Sequence, residues 1–369
     1  MKLTKLAYLA GTFALALGAC GGPDDVTAST LSPAPADTTP VVGPAVGDSD
    51  CATNGQPGQM PEQLRCTGFY SNWAQQTIAE ENREFKPAVR LWSDGADKRR
   101  WVYLPAGGQI DSTDMNEWKF PMGTKFWKDF SFNGKHVETR MFWKTGPDTW
   151  ARTSYRWTAD QTDARRFETG DKGVDVGRPV PYEIPSTDQC DTCHGGRQDK
   201  ILGFDAVALG LAGAAGLTLA NLVAEGRLTN NPPVTSLAVP EDATGKAAAA
   251  VGYLHANCGT TCHNRNESAF CHGSGLFFRL GYDDVSNAGL SVADLDVFKT
   301  AVNVPAPLAG PGFMRIAPGD PAHSGIAYLM GRRATAQTGG LQMPLIDTHV
   351  VDPDGVAAVT AWIQALGAK

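Results

Sequence analysis

Two short Cys- and His-bearing runs carry the chemistry legible in this chain. Cys190-Asp191-Thr192-Cys193-His194 has the form C-x-x-C-H. At that spacing two thiols add to the two vinyl groups of one porphyrin while the adjacent His reaches its iron, as in c-type haem attachment. A zinc site or a thioredoxin-like pair also uses C-x-x-C. The thioredoxin reading wants a strand–helix–strand context that is missing here, and the following His favours haem. Cys258-Gly259-Thr260-Thr261-Cys262-His263 repeats the order with one extra residue between the thiols. At this rarer spacing haem competes with a disulfide or a bare metal ion. Cys271 also lies close enough in sequence to pair with Cys258 or Cys262.

An iron held by His194 takes a sixth ligand or stays open to a small molecule. No Met or His occurs between Gly195 and Leu254, so a sixth ligand would come from farther away. Met122, His136, Met141, His255, Met314 and Met330 are the candidates. His255, three residues before the second motif, reads better as a packing residue.

Several elements must position these runs. Residues 243–257 read as a helix leading into the second motif. Asp352 as N-cap and Pro353 at the first position open a closing helix, with Val356, Val359, Ile363 and Leu366 at spacings of three and four. Gly252 is small enough for the two helices to cross near Trp362. Upstream, eight of the nine Trp lie between residues 73 and 157. Residues 125–132 and 136–143 alternate about Asn133-Gly134, a pair suited to a two-residue hairpin turn. A third strand is expected over 149–157, and others near 101–104 and 117–120. An antiparallel β-sandwich or small jelly roll over about 60–180 follows, its aromatics filling the pleated faces. The apolar stretch 206–224, broken by Gly210, Gly213 and Gly216, reads as buried structure rather than a membrane span.

The chain has 369 residues, 42% hydrophobic and 19% charged, with a formal net charge of −7. That length suits two or three domains, and the charge provides no general attraction for nucleic acid. Lys2 and Lys5 precede an apolar run over 6–17, too short to span a bilayer and ending in Leu17-Gly18-Ala19-Cys20. The run resembles a bacterial lipobox, in which Cys20 is acylated and becomes the mature N-terminus. Gly21 in place of Asp after that Cys points toward the outer membrane of a Gram-negative host. Residues 21–58 are rich in Pro, Ala, Thr and Gly, the composition of a tether. In such an oxidising compartment Cys51 and Cys66 are admissible disulfide partners.

Longer runs widen the comparison. Leu91-Trp92-Ser93-Asp94-Gly95-Ala96-Asp97-Lys98-Arg99-Arg100-Trp101-Val102-Tyr103-Leu104-Pro105 resembles the opening of a bacterial family of exported dihaem c-type cytochromes. Phe120-Pro121-Met122-Gly123-Thr124, Val137-Glu138-Thr139-Arg140, Asp188-Gln189-Cys190, Tyr253-Leu254-His255-Ala256-Asn257-Cys258 and Pro318-Gly319-Asp320-Pro321 follow in the same order. The resemblance covers about residues 65–367 and departs from the family at the extra residue of the second motif and at Cys271. It implies two haems c, on Cys190, Cys193 and His194 and on Cys258, Cys262 and His263. Helix, motif, Met-Pro loop and closing helix also follow the order of a class I cytochrome c, in which Met343 is the distal ligand opposite His263.

The expected fold is α+β: an antiparallel β-sandwich-like N-terminal region followed by mostly α-helical cytochrome c-like haem domains. Its expected parts are a signal (1–19), a tether (20–58), a Trp-rich β domain (60–182), a first haem segment (183–240) and a cytochrome c-like domain (241–369). The expected function is single-electron transfer between periplasmic redox partners from a lipid anchor on the envelope or cell surface. A peroxidase-like enzyme with one open iron, or a glycan- or partner-binding lipoprotein with an accessory haem, are the alternatives.

Overall fold

The computed structural model describes residues 59–334 and 341–367 together with Cys51. The signal, Cys20 and the tether apart from Cys51 lie outside the described residues. Short strands β1 (Tyr70–Asn72) and β2 (Thr77–Ile78) form a small hairpin. Next come β3 (Arg83–Lys86), β4 (Asp97–Tyr103), β5 (Lys125–Phe132), β6 (Lys135–Lys144), β7 (Trp150–Trp157) and β8 (Ala164–Phe167). A second small hairpin, β9 (Asp171–Val174) with β10 (Tyr182–Ile184), leads to α1 (Cys190–His194). Beyond it α2 (Ala206–Gly210) precedes β11 (Ala215–Gly216), which pairs with β3 and completes a seven-stranded antiparallel sheet in the order β11-β3-β4-β5-β6-β7-β8.

The β5–β6 turn is the one the sequence specifies. Asn133 and Gly134 have φ of 51° and 75°, the double positive that a two-residue hairpin requires. Register then assigns each side chain to a face. Trp101, Trp127 and Met141 pair across β4, β5 and β6 and pack under a cap that includes Leu64, Phe69 and Tyr70. Phe69 stacks on Trp127 at 5.1 Å. On the other face Val102, Phe126 and Phe142 pair and join the largest core, whose members run from Phe85 to Ile363. No Trp is among the exposed large hydrophobic residues, so the rings fill cores.

The rest of the chain covers that second face. After α3 (Leu219–Ala224) come α4 (Ala247–Leu254), α5 (Tyr282–Ser286), α6 (Asp296–Ala301), α7 (Gly325–Met330) and α8 (Pro353–Leu366). Asp352 caps α8, its carboxylate accepting the Gly355 N–H at 3.3 Å, with Pro353 at the first position. Val359, Trp362 and Ile363 of α8 are fully buried. The crossing of α4 and α8 is made close by Gly355, where a Cβ would fall 2.1 Å from the Tyr253 ring, and not by Gly252.

The expected fold class is corrected on two counts. One seven-stranded antiparallel sheet replaces the sandwich, its second face covered by loops and short helices rather than by another sheet. The C-terminal part is not a mostly α-helical cytochrome c-like domain, since helix makes up 26% and strand 22% of the structure. Pro and Gly explain the shortfall: across residues 304–325 they recur every few positions and interrupt any longer helix. The strand expected over 117–120 reduces to one bridge between Asp111 and Lys119. Among the described residues no helix is long and apolar enough to cross a membrane, and 206–224 divides into α2, β11 and α3.

Candidate functional site

The first motif is a helical turn fastened to the sheet. Ser186 and Gln189 form a capping box ahead of α1, the Ser186 N–H donating to Gln189 Oε1 at 2.9 Å. Just past the motif, Asp199 is buried and accepts from Lys144 Nζ, from Trp150 Nε1 at 2.8 Å and from the Phe120 N–H at 2.6 Å. Arg197 pairs with Asp205 at 2.8 Å and Glu117 at 3.4 Å. The His194 ring stacks on Phe142 of β6, centroids 4.4 Å apart, and its Nδ1 hydrogen-bonds the Lys200 carbonyl. A carbonyl oxygen only accepts, so Nδ1 carries the proton and Nε2 is the nitrogen left with a lone pair.

The second motif reaches the same end through a different turn. Helix α4 runs into a single π turn over His255–Gly259. The Thr260 N–H donates to His255 O at 2.9 Å and the His263 N–H to Cys258 O at 2.8 Å, both spanning five residues. This wider turn absorbs the extra residue between the thiols. A Cβ on Gly259 would lie 2.4 Å from the Arg279 nitrogen, so glycine lets the turn press on that strand of chain. The polar contacts of His263 belong to one neighbouring turn: Ser274 Oγ lies 3.4 Å from Nδ1, and the Leu276 backbone supplies a second hydrogen bond. His255 is a buried packing residue, its Nδ1 accepting the Leu280 N–H at 2.8 Å.

The two motifs touch. A Cβ on Gly196 would fall 1.8 Å from the Thr261 carbonyl oxygen, and Ser268 Oγ donates to Gly195 O at 2.6 Å. Cys193, His194, Cys258, Cys262 and His263 all line one cavity of about 370 Å³, and so does Met343. Of the Met and His residues weighed for the first iron, Met330 alone lines this cavity. Met141 is buried on the opposite face of the sheet, Met122 is exposed, and His136 binds Asp129 at 2.8 Å and stacks on Trp157.

Burial sets the charge states. It pushes the His194 imidazole down to about 3, with Lys128, Arg140 and Arg152 adding to the shift, and His263 down to about 4, so both rings are neutral near pH 7. It pushes the Cys193 and Cys258 thiols up to about 12 and raises Cys190 and Cys262 as well. Thiols held protonated are poor thiolate ligands and poor redox nucleophiles. Among the described residues no group of three or more His, Cys, Asp or Glu converges as a metal site. A porphyrin brings four nitrogen ligands of its own, so neutral imidazoles and paired buried thiols suit it better than a bare ion.

The other cysteines are placed as well. Cys51 and Cys66 form a disulfide, Cα atoms 5.2 Å apart, at the entry to the sheet region. Cys271 is buried on the cavity wall and joins neither Cys258 nor Cys262, which are free thiols with Cys190 and Cys193.

One positioning hub has no local chemical signal. Buried Asp94 accepts the backbone N–H groups of His349 at 2.9 Å and Val350 at 3.0 Å, and Trp92 Nε1 donates to Val350 O at 2.8 Å. The Trp92 N–H also donates to Asn257 Oδ1 at 2.6 Å. The run around Asp94 therefore ties the Met343 loop to the residue preceding the second motif. Gln342 braces the loop from within, its Nε2 donating to Pro344 O at 2.9 Å and Thr348 O at 2.8 Å. Comparison with family models, curated proteins and solved structures finds no match to this chain.

Proposed function

We propose that this chain is a dihaem c-type electron carrier, anchored through Cys20 to the bacterial envelope and exchanging single electrons with periplasmic redox proteins. The observation that carries the reading is that a single cavity is lined by Cys193 of the first motif, by Cys258 and Cys262 of the second, by both histidines and by Met343. Cys190 and Cys193 would bond one porphyrin and Cys258 and Cys262 a second, with His194 and His263 as proximal ligands. Met343 supplies the one thioether that the sequence order places opposite His263. A bound haem would supply one-electron exchange at iron; the residues decide how it is held and how deeply it is buried.

Each residue has a defined task in this reading. The Lys200 carbonyl fixes the tautomer and angle of the His194 ring, and Phe142 holds that ring by stacking worth about 0.5–1.5 kcal/mol. Asp94 and Gln342 hold the Met343 loop against the second motif. The contact of Gly196 on Thr261 brings the two attachment sites together, the arrangement that rapid electron exchange between two carriers needs. Pyridine haemochrome analysis and the mass of the mature protein test the proposal. Two haems per chain are expected; one would remove the second site, and none would remove the reading.

A further inference from the structure

The sheet face turned toward the cavity carries a row of basic side chains. Arg100 of β4 is paired with Lys128 of β5, and Lys128 with Arg140 of β6, so three basic side chains stand side by side on one face. Like charges directly opposite one another destabilise a sheet. Arg140 has a partner, Glu138 at 2.6 Å. Arg100 is only 7% exposed, and Lys128 lines both the main cavity and a smaller one beside it, which Arg100 also lines. Among the described residues neither Arg100 nor Lys128 has an ion pair or a hydrogen bond; Lys128 Nζ only sits 4.9 Å over the Phe130 ring.

The acidic groups on the cavity wall pair with neither Arg100 nor Lys128. Glu183 is taken by His349 Nε2 at 2.6 Å, and Asp347, one of its oxygens buried without a partner, is held toward its neutral form by burial. Burial, with Arg100, Lys98 and Arg140 adding to it, pushes the Lys128 ammonium well below the usual lysine range, the response of a basic group that lacks a counter-anion. A fold that keeps two basic groups without a counter-anion beside a cavity is arranged for an anion that enters it. The row borders the first motif: Phe142, on which His194 stacks, lies two residues along β6 from Arg140 and on the same face.

We propose that Arg100, Lys128 and Arg140 form a carboxylate-binding row that receives the propionates of the haem carried by the first motif. This rests on the dihaem reading above. The guanidinium groups suit paired oxygens and the ammonium a single one. With the propionates neutralised, the row removes negative charge from the neighbourhood of the iron and favours its reduced state. The same carboxylate chemistry would also suit a free anion from solution.

The test uses the mature protein carrying its haems. The haem count of the unaltered chain comes first, and a chain without haem sinks the dihaem reading itself. Redox titrations then compare the unaltered chain with Arg100→Gln, Lys128→Gln and Lys128→Arg. The propionate assignment expects each Gln variant to lower the midpoint potential of one haem only, and Lys128→Arg to restore it with an unchanged ferric spectrum. Two haems whose potentials ignore both Gln variants would overturn the assignment. So would a Lys128→Arg protein that loses low-spin absorption, which would make Lys128 an iron ligand instead. A potential in the unaltered chain that follows added inorganic phosphate would assign the row to a free anion and overturn it too. If Lys128→Gln fails to fold, Arg100→Gln and Lys128→Arg still decide the outcome.

Discussion

The two Cys–His motifs ask the same thing of the backbone and obtain it differently. Around the first, a regular helical turn is pinned to the sheet by a buried ionic network, with Asp199 drawing on Lys144, Trp150 and the Phe120 backbone. Around the second, the buried ionic cluster of Glu117 with Arg197 and Arg279 is met through the Arg279 backbone, on which Gly259 presses, and not through a carboxylate next to the motif. Cys258 to His263 ride on a π turn at the end of α4, and Asn257, accepting the Trp92 N–H and donating to the Arg90 carbonyl, ties it to that loop through neutral hydrogen bonds. Both nonetheless end in a buried neutral imidazole whose polar contacts come from a nearby turn. The thiol spacing is the variable part, and the environment of the histidine is the shared part.

Disabling the anchor of the first site alone should give the largest effect. Asp199→Ala leaves Lys144 buried without its partner and should cost about 3–5 kcal/mol in a denaturant titration. A loss under about 1 kcal/mol would mean that the first site does not depend on its ionic anchor. The second site has its own liability, in acid. Burial lowers His255 to about 4, so the native state resists a proton that the unfolded chain accepts near 6.5. Its contribution is full above pH 6.5 and is lost as pH falls toward about 4, with a slope near 1.4 kcal/mol per unit. A His255→Gln chain should lose that slope in urea midpoints followed against pH. An unchanged slope would place the acid sensitivity elsewhere.

Gly196→Ala probes the contact between the sites. Its Cβ would meet the Thr261 backbone, and the forced separation should cost about 1–3 kcal/mol. In the proposed dihaem protein the midpoint potentials of both haems should shift together. A shift in one only would separate the two sites energetically. The smallest effect is expected from deleting Thr260, which restores the C-x-x-C-H spacing. If the π turn only houses the extra residue, stability should change by no more than about 1 kcal/mol and two haems should remain. Loss of the second haem would show that the longer spacing itself places a thiol.

Residues close in the chain made much of this architecture readable. The Asn133-Gly134 hairpin, the Asp352-Pro353 start of α8 and the two attachment motifs each depend on neighbours within about six positions, where turn chemistry and capping act. Long-range partners were harder to read. The alternation of 125–132 and 136–143 said that strands exist, but a sandwich and a single sheet share that alternation. What covers the second face is decided by segments more than fifty residues away. Lys98-Arg99-Arg100 reads as a charged run on a solvated surface. In the sheet Arg99 points outward to Glu84 at 2.8 Å, while Arg100 turns inward.

The sequence by itself therefore determined the reactive groups, their spacing and the short turns that present them, because residue spacing and backbone dihedrals are local. Tertiary structure alone decided that residues of both motifs line one cavity, that Met343 and Met330 line it while Met141 does not, and that three basic side chains from three strands meet beside it. Those outcomes depend on strand register and on which face a distant segment covers, and a one-residue change of register would turn every side chain of a strand to the other face.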